Sequence, residues 1–183
     1  LQWPLQNSTA GKDISASAGW DILNSANDII VAVVDTGIRY THEDLAANMW
    51  RNPDEVPNNN FDDDGNGVID DVYGINAING SGNPMDDGDH GTHVAGIIGA
   101  VGNNGKGITG VAWNVQLMAC KFIASDGFGL TSDAVSAIDY AIDQGADVIN
   151  ASFGGAGYSS ALFAAIQRAR AAGIIFVAAA GNE

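Results

Sequence analysis

The chain has 183 residues, of which 46% are apolar, enough to build one domain with a sizeable core. Its 22 acidic and 7 basic residues give a net charge of −15, which argues against nucleic acid or an anionic membrane surface as a partner. The apolar runs are too short to cross a bilayer. The first residue, Leu1, resembles either a processed N-terminus or a cloning boundary.

The first third of the chain predicts an irregular arm followed by a buried strand. Residues 1–27 are rich in Ser, Asn and Gly, with a short helix expected near residues 15–23. Residues 29–34 form a continuous β-branched run, typical of a strand buried on both faces. Asp35 follows this run directly, at the sheet edge where catalytic side chains project in open parallel sheets. We expect Asp35 to have a partner, since an unpaired buried charge costs several kcal/mol.

Residues 44–89 form a long polar loop that contains half of the acidic residues. A loop of this length inside a domain usually has an organiser. Residues 62–71 place oxygen ligands and a glycine at the offsets of a calcium loop, although Tyr73 stands where a bidentate Glu is usual. We therefore predict a calcium site, with a solvated acidic turn as the alternative. The predicted ligands are Asp62, Asp64, Asn66 and the Val68 carbonyl, with Asp70 or Asp71 closing the shell.

His90 lies between this acidic loop and the apolar run of residues 94–101. The run predicts a buried helix, and His90 would lie at the N-terminus of that helix. The N-terminus of a helix disfavours a charged imidazole, so His90 is a candidate base near neutral pH. The alternative is that His90 and His93 only cap and pack the turn.

The remaining residues predict strands that alternate with helices. Strands are expected at 115–122, 147–152 and 174–180, and helices from a Thr131 or Ser132 cap to Gly145 and over 159–172. Without hairpin signals between them, this order indicates an α/β fold, a three-layer open parallel sheet with helices on both faces. We expect one domain, residues 1–183, made of the arm 1–27 and an α/β core 28–183.

Strand ends of a parallel sheet meet at one edge, so Asp35, Ser152 and Asn182 are expected near the helix that carries His90. Asp35 could fix the tautomer of the His90 imidazole, and the Asn182 amide could donate to a developing oxyanion. These are parts of an acyl-transfer site that still lacks its nucleophile.

Four motifs in sequence order carry a family resemblance. They are Val33-Val34-Asp35-Thr36-Gly37-Ile38, His90-Gly91-Thr92-His93-Val94-Ala95-Gly96, Ser152-Phe153-Gly154-Gly155 and Ala179-Ala180-Gly181-Asn182-Glu183. The chain resembles the N-terminal portion of a subtilisin-like serine protease, a subtilase. The resemblance implies a secreted, calcium-stabilised serine endopeptidase with a subtilisin-like fold that is incomplete here. It also implies a peptide or protein substrate and a propeptide.

The resemblance assigns roles residue by residue. It makes Asp35 the orienting acid, His90 the general acid and base, and Asn182 the oxyanion donor. An extended substrate would pair with two flanking segments, which are Gly127, Phe128 and Gly129, and Ser152, Phe153 and Gly154. The residues implied for the primary specificity pocket are Ala180, Gly181 and Glu183.

The family's nucleophile lies in a Gly-Thr-Ser-Met-Ala-type motif downstream of the asparagine, and the sequence reaches Glu183 without it. We therefore expect the serine on a C-terminal remainder or a second chain, and no peptide hydrolysis by these residues alone. The alternative function is a catalytically incomplete, calcium-stabilised fragment that acts as a binding or regulatory module. Two weaker rivals are an aspartic-protease half-site at Asp35 and a zinc site at His90 and His93.

Overall fold

The computed structural model describes residues 2–7, 9, 11–155 and 157–182. Five strands form one sheet: β1 (Ser25–Asp35), β2 (Gly74–Asn76), β3 (Asn114–Lys121), β4 (Val148–Ala151) and β5 (Ile175–Ala178). The α-helices are α1 (Ala16–Trp20), α2 (His90–Gly99), α3 (Thr131–Asp143) and α4 (Ser160–Ala171), and a short 3₁₀-helix spans Ala46–Asn48.

All neighbouring strands are parallel, in the order β2-β3-β1-β4-β5. β1 lies at the centre, and its residues Val31 to Asp35 are buried between neighbouring strands and helices as the sequence predicts, although Ile29 is exposed. Asp35, its last residue, pairs with Lys121, the last residue of β3. The central strand therefore delivers a carboxylate to the carboxyl edge of the sheet.

Successive residues of β1 face opposite sides of the sheet, as strand geometry requires. Ala32 and Val34 pack in a cluster with residues of α3 and α4, while Val31 and Val33 pack with Ala95 of α2. Helices therefore cover both faces, which confirms the predicted three-layer α/β fold.

Three local differences separate the prediction from the structure. β2 lies within residues 44–89, where the sequence predicted only a loop. Helix α1 has five residues, fewer than expected. The predicted Thr131 or Ser132 cap was wrong, because α3 begins after Leu130 in an extended conformation and no side chain caps it.

The outer strand β5 leaves Ile175 and Val177 exposed. None of the helices in the described ranges is long and apolar enough to span a membrane.

Candidate active site

The carboxylate of Asp35 and the imidazole of His90 form a direct pair. Nδ1 of His90 lies 2.8 Å from Oδ1 and 3.0 Å from Oδ2 of Asp35. The Asp35 side chain is fully buried, whereas the His90 side chain is 54% exposed. One ring nitrogen is therefore held by the buried carboxylate, which leaves Nε2 for a reacting group.

Backbone contacts fix the distance between these two residues. The amide of Gly91 donates to Oγ1 of Thr36, which follows Asp35. A Cβ at Gly91 would overlap the carbonyl oxygen of Gly37, so the first turn of α2 approaches the end of β1 backbone to backbone. Gly91 is needed for this approach, whereas a Cβ at Gly37 would overlap the carbonyl oxygen of Pro84.

Asp86 satisfies donors at the start of α2. Its Oδ2 accepts hydrogen bonds from the backbone amide and the hydroxyl of Thr92. The residue at the N-cap position, Asp89, makes no side-chain cap. A carboxylate three residues before the N-cap thus stabilises the helix terminus that carries His90.

The predicted substrate segments after β4 and β5 line one cavity of about 620 Å³. Its lining includes Ser152, Phe153 and Gly154 on one side and Ala180, Gly181 and Asn182 on the other. Oγ of Ser152 accepts a hydrogen bond from the Asn150 side chain. The last predicted specificity residue, Glu183, lies outside the described residues.

The third predicted substrate segment, Gly127 to Gly129, folds back on the strand end that precedes it. The amide of Ala124 donates to the carbonyl of Phe128, and Gly129 bridges to Ile123. The Phe122 and Phe153 rings meet edge to face with centroids 4.6 Å apart. This aromatic pair joins the Ser152 to Gly154 segment to Phe122, which directly follows β3.

A family model described as "Subtilase family" matches residues 26–183. The chain belongs to the subtilase family. It is 43% identical to Subtilisin-like protease 1 of Plasmodium vivax, over 100% of this chain and 28% of that protein. It is 38% identical to the Thermophilic serine proteinase of Bacillus sp. strain AK1, over 90% of this chain and 35% of that protein.

A third relative, the Halolysin-like extracellular serine protease Nep of Natrialba magadii, is 36% identical over 95% of this chain and 29% of that protein. The chain therefore spans roughly a third of the length of these relatives.

In this subtilase the acidic loop brings three carboxylates together. Oxygen atoms of Glu55, Asp62 and Asp64 all lie within 4.8 Å of one another. Oε1 of Glu55 accepts the amide of Asp63, while its buried Oε2 has no hydrogen-bond partner among the described residues. A buried, unpartnered carboxylate oxygen next to two other carboxylates fits the oxygen ligands that a hard cation requires.

The other predicted ligands have different contacts. Oδ1 of Asn66 accepts the amide of Val68, and the Asp70 carboxylate accepts the amides of Asn59 and Asn60. Asp71 is fully buried and accepts hydrogen bonds from the side chains of Asn52, Asn66 and Tyr140. The structure thus brings Asp62 and Asp64 together with Glu55, and uses Asp70 and Asp71 to fold the loop.

The pKa of Asp64 reflects competing influences. Its partial burial works to raise the pKa, but hydrogen bonds from the Asn52 side chain, the Asn66 amide and the Gln144 side chain outweigh it and hold the pKa below its usual range. Asp64 is therefore a carboxylate at neutral pH, as a ligand of a cation must be.

Sequence reasoning missed Glu55, which belongs to the carboxylate cluster, and Lys121, which pairs with Asp87 at the end of β3. Glu55 lies outside the regular spacing of the loop motif, and no local signal marks it as a ligand. Lys121 had a signal that was not used, since it is a lone cation that ends an apolar strand.

Proposed function

We propose that this subtilase chain contributes two members of a catalytic triad, an oxyanion donor and the substrate-binding strands of a serine endopeptidase. The observation that carries the proposal is the contact of the half-exposed His90 imidazole with both oxygens of the buried Asp35 carboxylate. A carboxylate in this position fixes the imidazole tautomer and stabilises the imidazolium that forms during acyl transfer.

The proposed chemistry begins at Nε2 of His90, which removes the proton of a serine hydroxyl as the oxygen attacks the scissile carbonyl. The same nitrogen then gives this proton to the leaving amine. The Asn182 amide stabilises the negative charge that develops on the carbonyl oxygen. We place the nucleophilic serine in the rest of the protein, because Ser152, beside the proposed substrate cavity, has its side-chain hydrogen bond with Asn150 and none with the His90 ring among the described residues.

The substrate is proposed to be an extended peptide. It would lie between the Gly127 to Gly129 segment and the Ser152 to Gly154 segment, forming backbone hydrogen bonds to each. Phe153 would shape an apolar pocket for a side chain upstream of the scissile bond, because its ring lies at the cavity and packs on Phe122.

We also propose a structural calcium ion in the acidic loop, held by Glu55, Asp62 and Asp64. The unpartnered buried oxygen of Glu55 supports this assignment. Chelation should lower the melting temperature, and added calcium should restore it by mass action. An unchanged melting temperature, with no metal found by elemental analysis, would contradict the calcium site.

Two further parts of the proposal concern context. We propose that these residues form the N-terminal portion of one catalytic domain and that the protein is secreted, with a propeptide. The name of the Natrialba magadii relative, which describes that protein as extracellular, supports secretion.

The test uses the protein that contains this chain and a fluorophosphonate probe that labels activated serines. We expect labelling and peptide hydrolysis in the parent, and loss of both in His90→Ala. Mapping of the labelled peptide should place the probe on a serine other than Ser152. A parent that binds peptides but neither reacts with the probe nor hydrolyses them would instead support the binding-module alternative.

A further inference from the structure

Lys121 is an almost completely buried cation at the end of β3. Its side chain is 2% exposed, and Nζ lies 2.7 Å from the Thr36 carbonyl, 2.7 Å from the Ile123 carbonyl and 2.6 Å from Oδ1 of Asp87. An ammonium group has three protons, so each proton of Lys121 has an acceptor. The site is therefore built to hold an ammonium ion at one fixed point.

The three acceptors come from three segments that meet at the catalytic pair. Thr36 follows Asp35 directly, and Asp87 lies three residues before His90. Ile123 lies just beyond the end of β3. The backbone amides of Phe122 and Ile123 both donate hydrogen bonds to the Asp35 carbonyl. A single nitrogen atom thus connects the backbone on one side of Asp35 with the loop that leads into His90.

Burial of an ammonium ion carries a large desolvation cost, which even a well-paired site often fails to offset. The Asp87 carboxylate is 56% exposed, so the ion pair spans from the sheet interior to the surface of the loop. The arrangement is costly for stability alone, but it restrains the two segments whose separation sets the Asp35 to His90 hydrogen bonds.

We propose that Lys121 is a positioning residue of the active site, which holds the Asp35 and His90 segments in the geometry needed for proton transfer. The proposal rests on the proposed protease function. Lys121 has no contact with the reacting atoms in this role; it acts through the Thr36 carbonyl and the Asp87 loop.

The first test is Lys121→Met in the protein that contains this chain. Met fills the space but cannot donate hydrogen bonds. Because small displacements of catalytic groups are costly, we expect kcat to fall about 10- to 100-fold while KM changes by less than about twofold. The matched control is Lys106→Met, which removes the half-exposed Lys106 to Glu43 ion pair and should leave both constants near the parental values.

The second readout reports on the catalytic pair without requiring turnover. A strong hydrogen bond from Nδ1 of His90 to Asp35 should give a far-downfield proton resonance in the parent and in Lys106→Met. In Lys121→Met we expect this resonance to move upfield or broaden. A lysine that only stabilises the fold would leave the resonance unchanged in any folded variant.

If Lys121→Met does not fold, Asp87→Ala tests the same link at an exposed position. It keeps Lys121 and its two carbonyl contacts, so we expect a smaller loss of kcat, about 3- to 10-fold, with the same change in the resonance. Parental kcat and an unchanged resonance in the folded variant would overturn the proposal. An inactive parent would contradict the proposed function instead, and the resonance would still decide the role of Lys121.

Discussion

The hydroxyl of Tyr140 on α3 donates a hydrogen bond to the Asp71 carboxylate in the acidic loop. Asp71 is fully buried and also accepts the side-chain amides of Asn52 and Asn66. Burial raises the pKa of the Tyr140 phenol, and its hydrogen bond to Asp71 raises it further. The loop is therefore anchored to the core of the domain through one buried polar network.

The variant Tyr140→Phe should destabilise the folded state. It removes a hydrogen bond to a buried carboxylate, which is worth about 1.5 to 3 kcal/mol. Urea unfolding measures the change, with Tyr158→Phe as the control, since Tyr158 is 79% exposed. Equal free energies of unfolding for the parent and Tyr140→Phe would show that the network is not maintained in solution.

The same residue predicts a loss of stability at alkaline pH. The raised pKa means that the native state keeps the Tyr140 proton while the unfolded state loses it above the reference pKa of 10.0. The contribution of Tyr140 to the free energy of unfolding is therefore fully present below pH 10. Above pH 10 this contribution falls by about 1.4 kcal/mol per pH unit. The stability difference between the parent and Tyr140→Phe should narrow above pH 10. A difference that stays constant from neutral to strongly alkaline pH would refute this.

Substitution of Glu55 by Gln should raise the melting temperature in the absence of calcium and lower it in the presence of calcium. Without the ion, the change removes one of three crowded carboxylates and should raise the melting temperature. With calcium, we expect at least about tenfold weaker binding, which costs about 1.4 kcal/mol under saturating conditions. Calorimetry in chelator and in calcium tests both signs. Glu43→Gln, at a side chain that is 70% exposed, is the matched control and should show neither effect.

The variant Asp35→Asn should abolish turnover but leave the fold nearly intact. An amide at this position favours the wrong imidazole tautomer, a change that typically costs roughly 10⁴-fold in kcat. Steady-state kinetics of the protein that contains this chain measures the loss, and circular dichroism checks the fold. Asp143→Asn, at an exposed position on α3, serves as control. A rate near the parental value would remove Asp35 from the triad.

Phe153→Ala should change substrate selection. Its ring lies at the substrate cavity, so its loss should lower kcat/KM about tenfold for peptides with a large apolar side chain upstream of the scissile bond. Peptides with a small residue there should be affected less. The ratio of the two kcat/KM values cancels any loss of folded enzyme. Phe163→Ala on α4, whose ring is half exposed, should leave this ratio unchanged.

Elements with their own apolar pattern could be predicted from the sequence, and elements defined by tertiary contacts could not. The run that forms β1 is long and β-branched, and the helix that begins at His90 contains an uncharged apolar run. By contrast, β2 has only three residues and exists because Gly74–Asn76 pair with the end of β3. No periodicity in the polar segment marks it.

The candidate site also has residues that could be predicted from local sequence and residues that are defined by tertiary contacts. Asp35 and His90 could be paired from the sequence because strand ends converge and their motifs are distinctive. The environment of Lys121 depends on acceptors from two distant segments, at Thr36 and Asp87, besides the nearby Ile123 carbonyl. The cluster around Glu55 depends on how the loop closes on itself. Lys121 stands out in the sequence as a cation after apolar residues, but neither set of contacts is marked there, so only the folded chain reveals them.

The central position of β1 also has a consequence for the folding rate. β1 is synthesised first among the strands, yet its neighbours β3 and β4 come much later: the Lys121 contact with Thr36 spans 85 residues, and that of Asp147 with Ile30 spans 117. Closing such long loops is entropically costly and slows folding. β1 therefore stays unpaired until the residues of β3 and β4 are available. A cation that condenses the acidic loop early would shorten the chain between β1 and β3. The proposed calcium ion is then expected to accelerate folding of the sheet, in addition to its proposed effect on the melting temperature.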